Sequence, residues 1–123
     1  MLRDELAACL LLALELRDDL ALASVLSPDV RMLVDTGDLT GGELRSRASV
    51  GRALRAEVAK HPDVSLQAVQ VNGAPGITVH RHDGEVVGVL GIDVAPGSDT
   101  IQRLWLSTAP GKLAHWNHRR PSA

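Results

Sequence analysis

Two aspartates, a pair of closely spaced histidines and a cluster of arginines carry most of the chemistry available to this sequence. Asp35 closes the apolar run VRMLVD and stands before TGD. Walled by apolar side chains, its pKa would rise and it could act as a base near neutral pH. As a turn residue, its carboxylate would cap backbone N–H groups instead. Asp93 lies inside GVLGIDVA, with apolar neighbours on both sides. Aspartate is rarely buried unpaired, so it either faces a cavity or pairs with an arginine such as Arg31 or Arg103.

His80 and His82 stand two apart and share one face of a strand. Two imidazoles could begin a metal site, but no third ligand stands at a suitable spacing. Solvated strand histidines before a turn are the plainer reading, and no metal is expected. His115 and His118 could chelate weakly or belong to an exposed tail over 116–123. Arg45, Arg47, Arg52 and Arg55 form a basic patch: either a solvated helix face or a site for an anionic ligand or acidic partner. Trp105 is a core filler, an interface anchor or a pocket wall.

Composition narrows the field. The 123 residues amount to one domain, with a formal net charge of −2 that gives no global basic field for nucleic acid. The basic patch has no interleaved aromatics on which bases could stack. Cys9 is the only cysteine, so no internal disulfide and no cysteine metal centre is possible. Phe and Tyr are absent, and Trp105 and Trp116 are the only aromatics. The core must be Leu, Val, Ile and Ala, and mechanisms needing a tyrosine hydroxyl are excluded. The nine-residue apolar run LAACLLLAL is too short to span a bilayer, and its acidic flank does not suit a signal peptide. A cytoplasmic protein with no membrane partner is expected.

The elements that must position these residues follow from periodicity. Leu- and Ala-rich residues 3 to 26 predict a helix to about Arg17 and a second from about Asp18. SPD at 27–29 stops it, and VRMLVD predicts the first strand. TGDLTGG is a loop. Residues 46–61 predict a helix with Val50, Leu54 and Val58 on its inner face, ended by Pro62. From Val64 the period becomes two. VSLQAVQV slips parity near Ala68–Val69, which suggests a bulge. NGAPG, DG and APGSD then punctuate strands ITVHRH, EVVGVLGIDV and TIQRLWLS. The glycines at 73, 76, 84, 88 and 91 fall between or within strands. None opens a helix, so they are corners and bends rather than a phosphate cradle. The expectation is an α+β fold: N-terminal helices packed in a curved antiparallel sheet that forms a cone. EVVGVLGIDV is apolar on both parities, so both sheet faces must be covered. One face takes the helices; a second copy, making a homodimer through the sheet, is the simplest cover for the other.

This order, with VNGAPGITVHRHDGEVVGVLGIDV and IQRLWLSTAPGKLAHW, resembles the SnoaL-like, or nuclear-transport-factor-2-like, domains. The similarity is nearest to the C-terminal domain of actinobacterial extracytoplasmic-function sigma factors. That family reads Val-Asn-Gly-x-Pro-Gly, then Gly-x-Val-Val-Gly-Val, then Asn-Pro-Asp-Lys-Leu. Val71, Asn72, Gly73, Pro75 and Gly76 match the first motif. Pro110, Lys112 and Leu113 match the last, with Ala109 and Gly111 in place of its Asn and Asp. The resemblance implies a single SnoaL-like domain over 1–123, freestanding or excised from the promoter-binding domains. Its implied role is a binding or regulatory module for a small apolar ligand or a sigma-factor-like protein partner, without a cofactor. A looser resemblance to ketosteroid isomerases implies Asp35 as base and Asp93 as protonated oxyanion donor, though the tyrosine of that site is missing. The expected ligand-contacting residues are Asp35, His80, Asp93 and Trp105. The alternative is a small cofactor-independent isomerase, cyclase or hydrolase that uses Asp35 and Asp93 as an acid–base pair.

Overall fold

The computed structural model describes residues 3–61 and 63–117. Helices α1 (Arg3–Glu15) and α2 (Asp19–Val25) break at Arg17, whose φ of 53° lies in the left-handed region. Asp18 caps α2 by accepting from the Ala21 amide at 3.1 Å. Strand β1 (Leu26–Asp35) follows at once, so SPD does not separate helix from strand. Pro28 instead sits where the β1 register shifts between Leu26 and Arg31, a place that spares the ladder its missing N–H. A short strand β2 (Gly42–Arg45) precedes α3 (Arg47–Ala59), which Ser46 caps. Then come β3 (Ser65–Val71), β4 (Ala74–His80), β5 (Val86–Asp93), β6 (Ile101–Ser107) and helix α4 (Pro110–Asn117).

The six strands form one curved, unclosed sheet in the order β2-β1-β6-β5-β4-β3. All neighbours are antiparallel except β1 and β6. The expected α+β architecture of helices on a curved sheet is therefore present. The β3–β4 hairpin turns on Asn72 (φ 51°) and Gly73 (φ 80°), two positive-φ residues that suit a tight right-twisted hairpin. The bulge expected near Ala68–Val69 is absent, because β3 pairs β4 in continuous register from Ser65 to Val71. The irregularity lies one strand on, where His80 pairs Val86 but Val79 pairs Gly88. The extra residue switches the parity of β5 and accounts for its apolar residues on both faces.

The inner face of the sheet is filled. Leu6 and Leu10 of α1 and Val50 of α3 meet Leu26, Met32, Ile101 and Leu104, all fully buried. The buried stripe of α3 is Val50, Leu54 and Glu57, and Val58 packs half-buried against the same core. With no Phe or Tyr, many small aliphatic contacts replace a few large ones. Among the described residues no helix is long and apolar enough to cross a membrane. Truncating Leu10 to Ala should cost about 2–5 kcal/mol in a urea unfolding series, because the surrounding packing cannot collapse fully into the gap. A loss below about 1 kcal/mol would mean a loosely packed interior.

Candidate functional site

A large hollow lies on the outer face of the sheet, opposite α1–α3. The run TAPGKLAHWN builds one wall of it. Pro110 opens α4, where a missing N–H costs nothing. Ala109, Leu113 and Trp116 recur at helical spacing, and Leu113 and Trp116 pack on Val86 and Val89 of β5. Asn117 fixes the end of the helix. Its amide Nδ2 donates to the Val86 carbonyl at 3.1 Å, and its Oδ1 accepts from the Val86 amide at 2.7 Å. The expected tail thus does not begin at 116: Trp116 is half-buried and Asn117 is pinned to β5. Residues 118–123 of that expectation, His118 included, lie outside the described residues.

Between α4 and the sheet runs a groove of about 1110 Å³, slightly above the usual size of small-molecule sites, which reach about 1,000 Å³. Val71, Val89, Trp105 and Trp116 give it apolar walls; Asn72, Ser107, Lys112 and His115 supply polar groups. Trp105 lies across Gly91, its partner on β5. A Cβ on residue 91 would stand 3.3 Å from the indole Cε3, so glycine allows the ring to lie flat against the strand. Trp105 is 41% exposed, and Leu33 beside it on β1 is 43% exposed. The Ser107 hydroxyl is buried in this groove and has no hydrogen-bond partner. Such a group is costly unless something supplies the missing bond.

Asp35 lies at the edge of this arrangement. Its Oδ2 forms an ion pair with Lys112 Nζ, and its Oδ1 accepts from the Gly37 amide at 3.0 Å. The bond from Lys112 holds its pKa below the ordinary carboxylate value, with the Gly37 amide adding to the effect. A base near neutral pH would need a shift in the other direction. Asp35 is therefore the turn-capping residue of its loop, and it also ties β1 to α4.

Asp93 is exposed. Its sequence neighbours Ile92 and Val94 point inward to the core, and alternation turns Asp93 outward, opposite Arg103. Asp35 pairs in register with Ser107 of β6, whereas Asp93 pairs with Arg103, four residues away. That is about 13 Å along the strand, with the aspartates on opposite sides of β6. The structure does not bring the proposed acid and base together.

His80 is not among the groove-lining residues. Its Nε2 meets the Thr78 hydroxyl at 2.5 Å, and its Nδ1 lies 3.4 Å from the Gly84 carbonyl. His82 is exposed in the turn. Among the described residues no cluster of His, Cys, Asp and Glu could hold a metal. The arginine patch is largely engaged. Arg45 pairs with Glu43 at 3.1 Å, Arg55 with Asp19 at 3.0 Å, and Arg47 Nε donates to the Leu26 carbonyl at 3.0 Å.

Of the four expected ligand-contacting residues, Asp35, His80, Asp93 and Trp105, only Trp105 lines the groove, and His115, weighed above only as a weak chelator or tail residue, lines it as well. That Ser107, Lys112, His115 and Trp116 share one site was not foreseen. The spacing of Ala109, Leu113 and Trp116 after a helix-opening proline was the signal for them.

No family model and no curated protein matches the chain. Solved structures do match at the level of fold. The extracytoplasmic function sigma factor SigJ of Mycobacterium tuberculosis is 20% identical with a TM-score of 0.67, over 91% of this chain and 44% of that one. A SnoaL-like protein of unknown function from Burkholderia thailandensis is 15% identical, TM-score 0.60, over 85% and 91%. A candidate isomerase of the SnoaL-like family from Agrobacterium tumefaciens is 13% identical, TM-score 0.60, over 85% and 95%. The chain has the SnoaL-like, nuclear-transport-factor-2-like fold.

Replacing Lys112 by Ala should move the Asp35 pKa up toward 3.8, read by NMR titration of the carboxylate. With Lys112 present, the folded state gains from an ionised Asp35 above pH 3.8 and loses that gain as pH falls through the depressed folded value. An Asp35 titration unaffected by the substitution would remove the ion pair from the account.

Proposed function

We propose that this chain is a binding module that holds a small, largely apolar molecule in the groove between α4 and the outer face of the sheet. The buried, unpartnered Ser107 hydroxyl on a surface otherwise walled by Val71, Val89 and two tryptophans carries this reading. A ligand with one polar group would satisfy Ser107 while its apolar body covers the indoles. Lys112 and His115 at the rim favour an acceptor or anionic group at the open end. The fold shared with part of SigJ supports a regulatory setting, in which ligand occupancy governs contact with a sigma-factor-like partner. The acid–base alternative draws no support from the separation of Asp35 and Asp93 or from the ion pair of Asp35 with Lys112.

The same surface offers a place for a second copy. Leu33 and Trp105 are adjacent in register and exposed beside the groove. A sheet-to-sheet homodimer would cover them and close the open side of the groove.

Trp105 and Trp116 are the only tryptophans and both line the groove, so intrinsic fluorescence reports its occupancy directly. Apolar fragments carrying one hydroxyl or carboxylate should shift the emission saturably. At a hundred times its dissociation constant, a ligand should add about 2.7 kcal/mol of stability. Val89→Trp should block binding by filling the groove, and Ser107→Ala should weaken polar fragments more than hydrocarbons. Binding that survives Val89→Trp unchanged places the site elsewhere. Sedimentation should show concentration-dependent dimers that Trp105→Arg disperses; a monomer at all concentrations removes the second copy.

A further inference from the structure

Glu57 stands in the inner stripe of α3, where the sequence otherwise places Val50 and Leu54. Its side chain is only 9% exposed, and its Oε2 makes no hydrogen bond. The Lys60 ammonium lies 3.3 Å from that oxygen, but Lys60 reaches it from an exposed position, outside hydrogen-bonding geometry. A carboxylate accepts several hydrogen bonds, and one buried this far is expensive when they go unmade.

The carboxylate lines a second pocket of about 330 Å³, between α3, β2 and the loop over residues 36–42. It is distinct from the groove, since it lies on the helix side of the sheet and shares no lining residue with it. Its apolar wall is Val34, Leu44 and Leu106. Its polar rim is unusual in having many acceptors and few donors. The hydroxyl protons of Thr36 and Thr40 are taken up within the loop, by Asp38 Oδ1 at 2.7 and 2.6 Å or by the contact of 2.9 Å between the two hydroxyls. Only their lone pairs remain for a guest. These bonds hold the Asp38 pKa down to about 2, so a fixed negative charge sits behind the two threonines. Lys60 and Thr108 are the remaining side-chain donors in the lining.

We propose that this pocket is a second ligand site, selective for a small organic cation: an alkylammonium or alkylguanidinium whose head donates to Glu57 and whose tail packs on Val34, Leu44 and Leu106. The chemistry follows from what the walls lack. An anionic guest finds mostly acceptors, with Lys60 and Thr108 as the side-chain donors, and a neutral alcohol brings a single proton and no charge to Glu57. A cationic head supplies the hydrogen bonds that Oε2 is missing and displaces Lys60 toward solvent, where most of its side chain already lies. The proposal does not rest on occupancy of the groove.

The test is an NMR titration of the whole chain at fixed ionic strength with n-butylammonium, n-butylguanidinium, n-butanol and n-butyrate. Saturable amide shifts in Leu44, Ala53 and Ala56 with the two cations, and none with butyrate, are expected. Glu57→Gln should weaken cation binding at least about tenfold, the equivalent of one charge-assisted hydrogen bond. Lys60→Met should tighten it several-fold by removing the competing ammonium. A purely structural ion pair predicts no ligand response in any variant. That outcome overturns the proposal, as does equal binding of butyrate, or cation affinity unchanged in both variants. Because Trp105 and Trp116 line the other hollow, a fluorescence change without these amide shifts reports the groove and also counts against the second site.

Discussion

The close packing of small aliphatic side chains between α1–α3 and the inner face of the sheet determines where this molecule can bind anything. Leu6, Leu10, Leu26, Met32 and Leu104 are fully buried there. In a curved sheet wrapped on helices, the inner side is where a hollow is expected. Here leucines and valines occupy that space, apart from the small pocket beside Glu57. A buried leucine stabilises the fold by about 1.5–3 kcal/mol, so emptying the interior to admit a guest would be costly. The larger of the two hollows is consequently outside, where α4 packs on Val86 and Val89 of β5 and leaves the face around Gly91 and Trp105 open.

Two small features make the outer site possible. Asn117 returns both halves of its amide to the backbone of Val86, which fixes the far end of α4. The ion pair of Lys112 with Asp35 fixes the near end. Between these anchors Gly91 lets Trp105 lie flat, leaving an aromatic surface in a protein with only two aromatic residues. Asp35 thus matters to the site as a support for the wall. Its ionised state at neutral pH is what that job requires.

Much of the architecture was legible in the sequence because it rests on local signals. The break near Arg17, the Asn72–Gly73 turn and the four-strand meander follow from turn chemistry and alternation. Strand β2 was missed because GELR has one apolar residue and lies at a sheet edge, where no pattern is enforced. Helix α4 was missed because a short segment near the chain end reads as a tail until its three apolar positions are lined up. The expected inner face of α3 counted only apolar residues and so left out Glu57, although its i+7 relation to Val50 places it inside. Asp93 misled in the opposite direction. Apolar neighbours in sequence say nothing of burial in a strand, where adjacent residues face opposite ways. Trp105 could not be assigned until Gly91 was known to lie opposite.

Methyl NMR under xenon pressure tests the division between a filled inside and an open outside most directly, since xenon enters dry apolar cavities of sufficient size. The methyls of Leu6, Leu10 and Leu104 should not respond, while those of Val71 and Val89 should shift. Saturable shifts of the inner leucines, with Val71 and Val89 silent, would mean that the hollow lies between helices and sheet and that the outer groove is only surface.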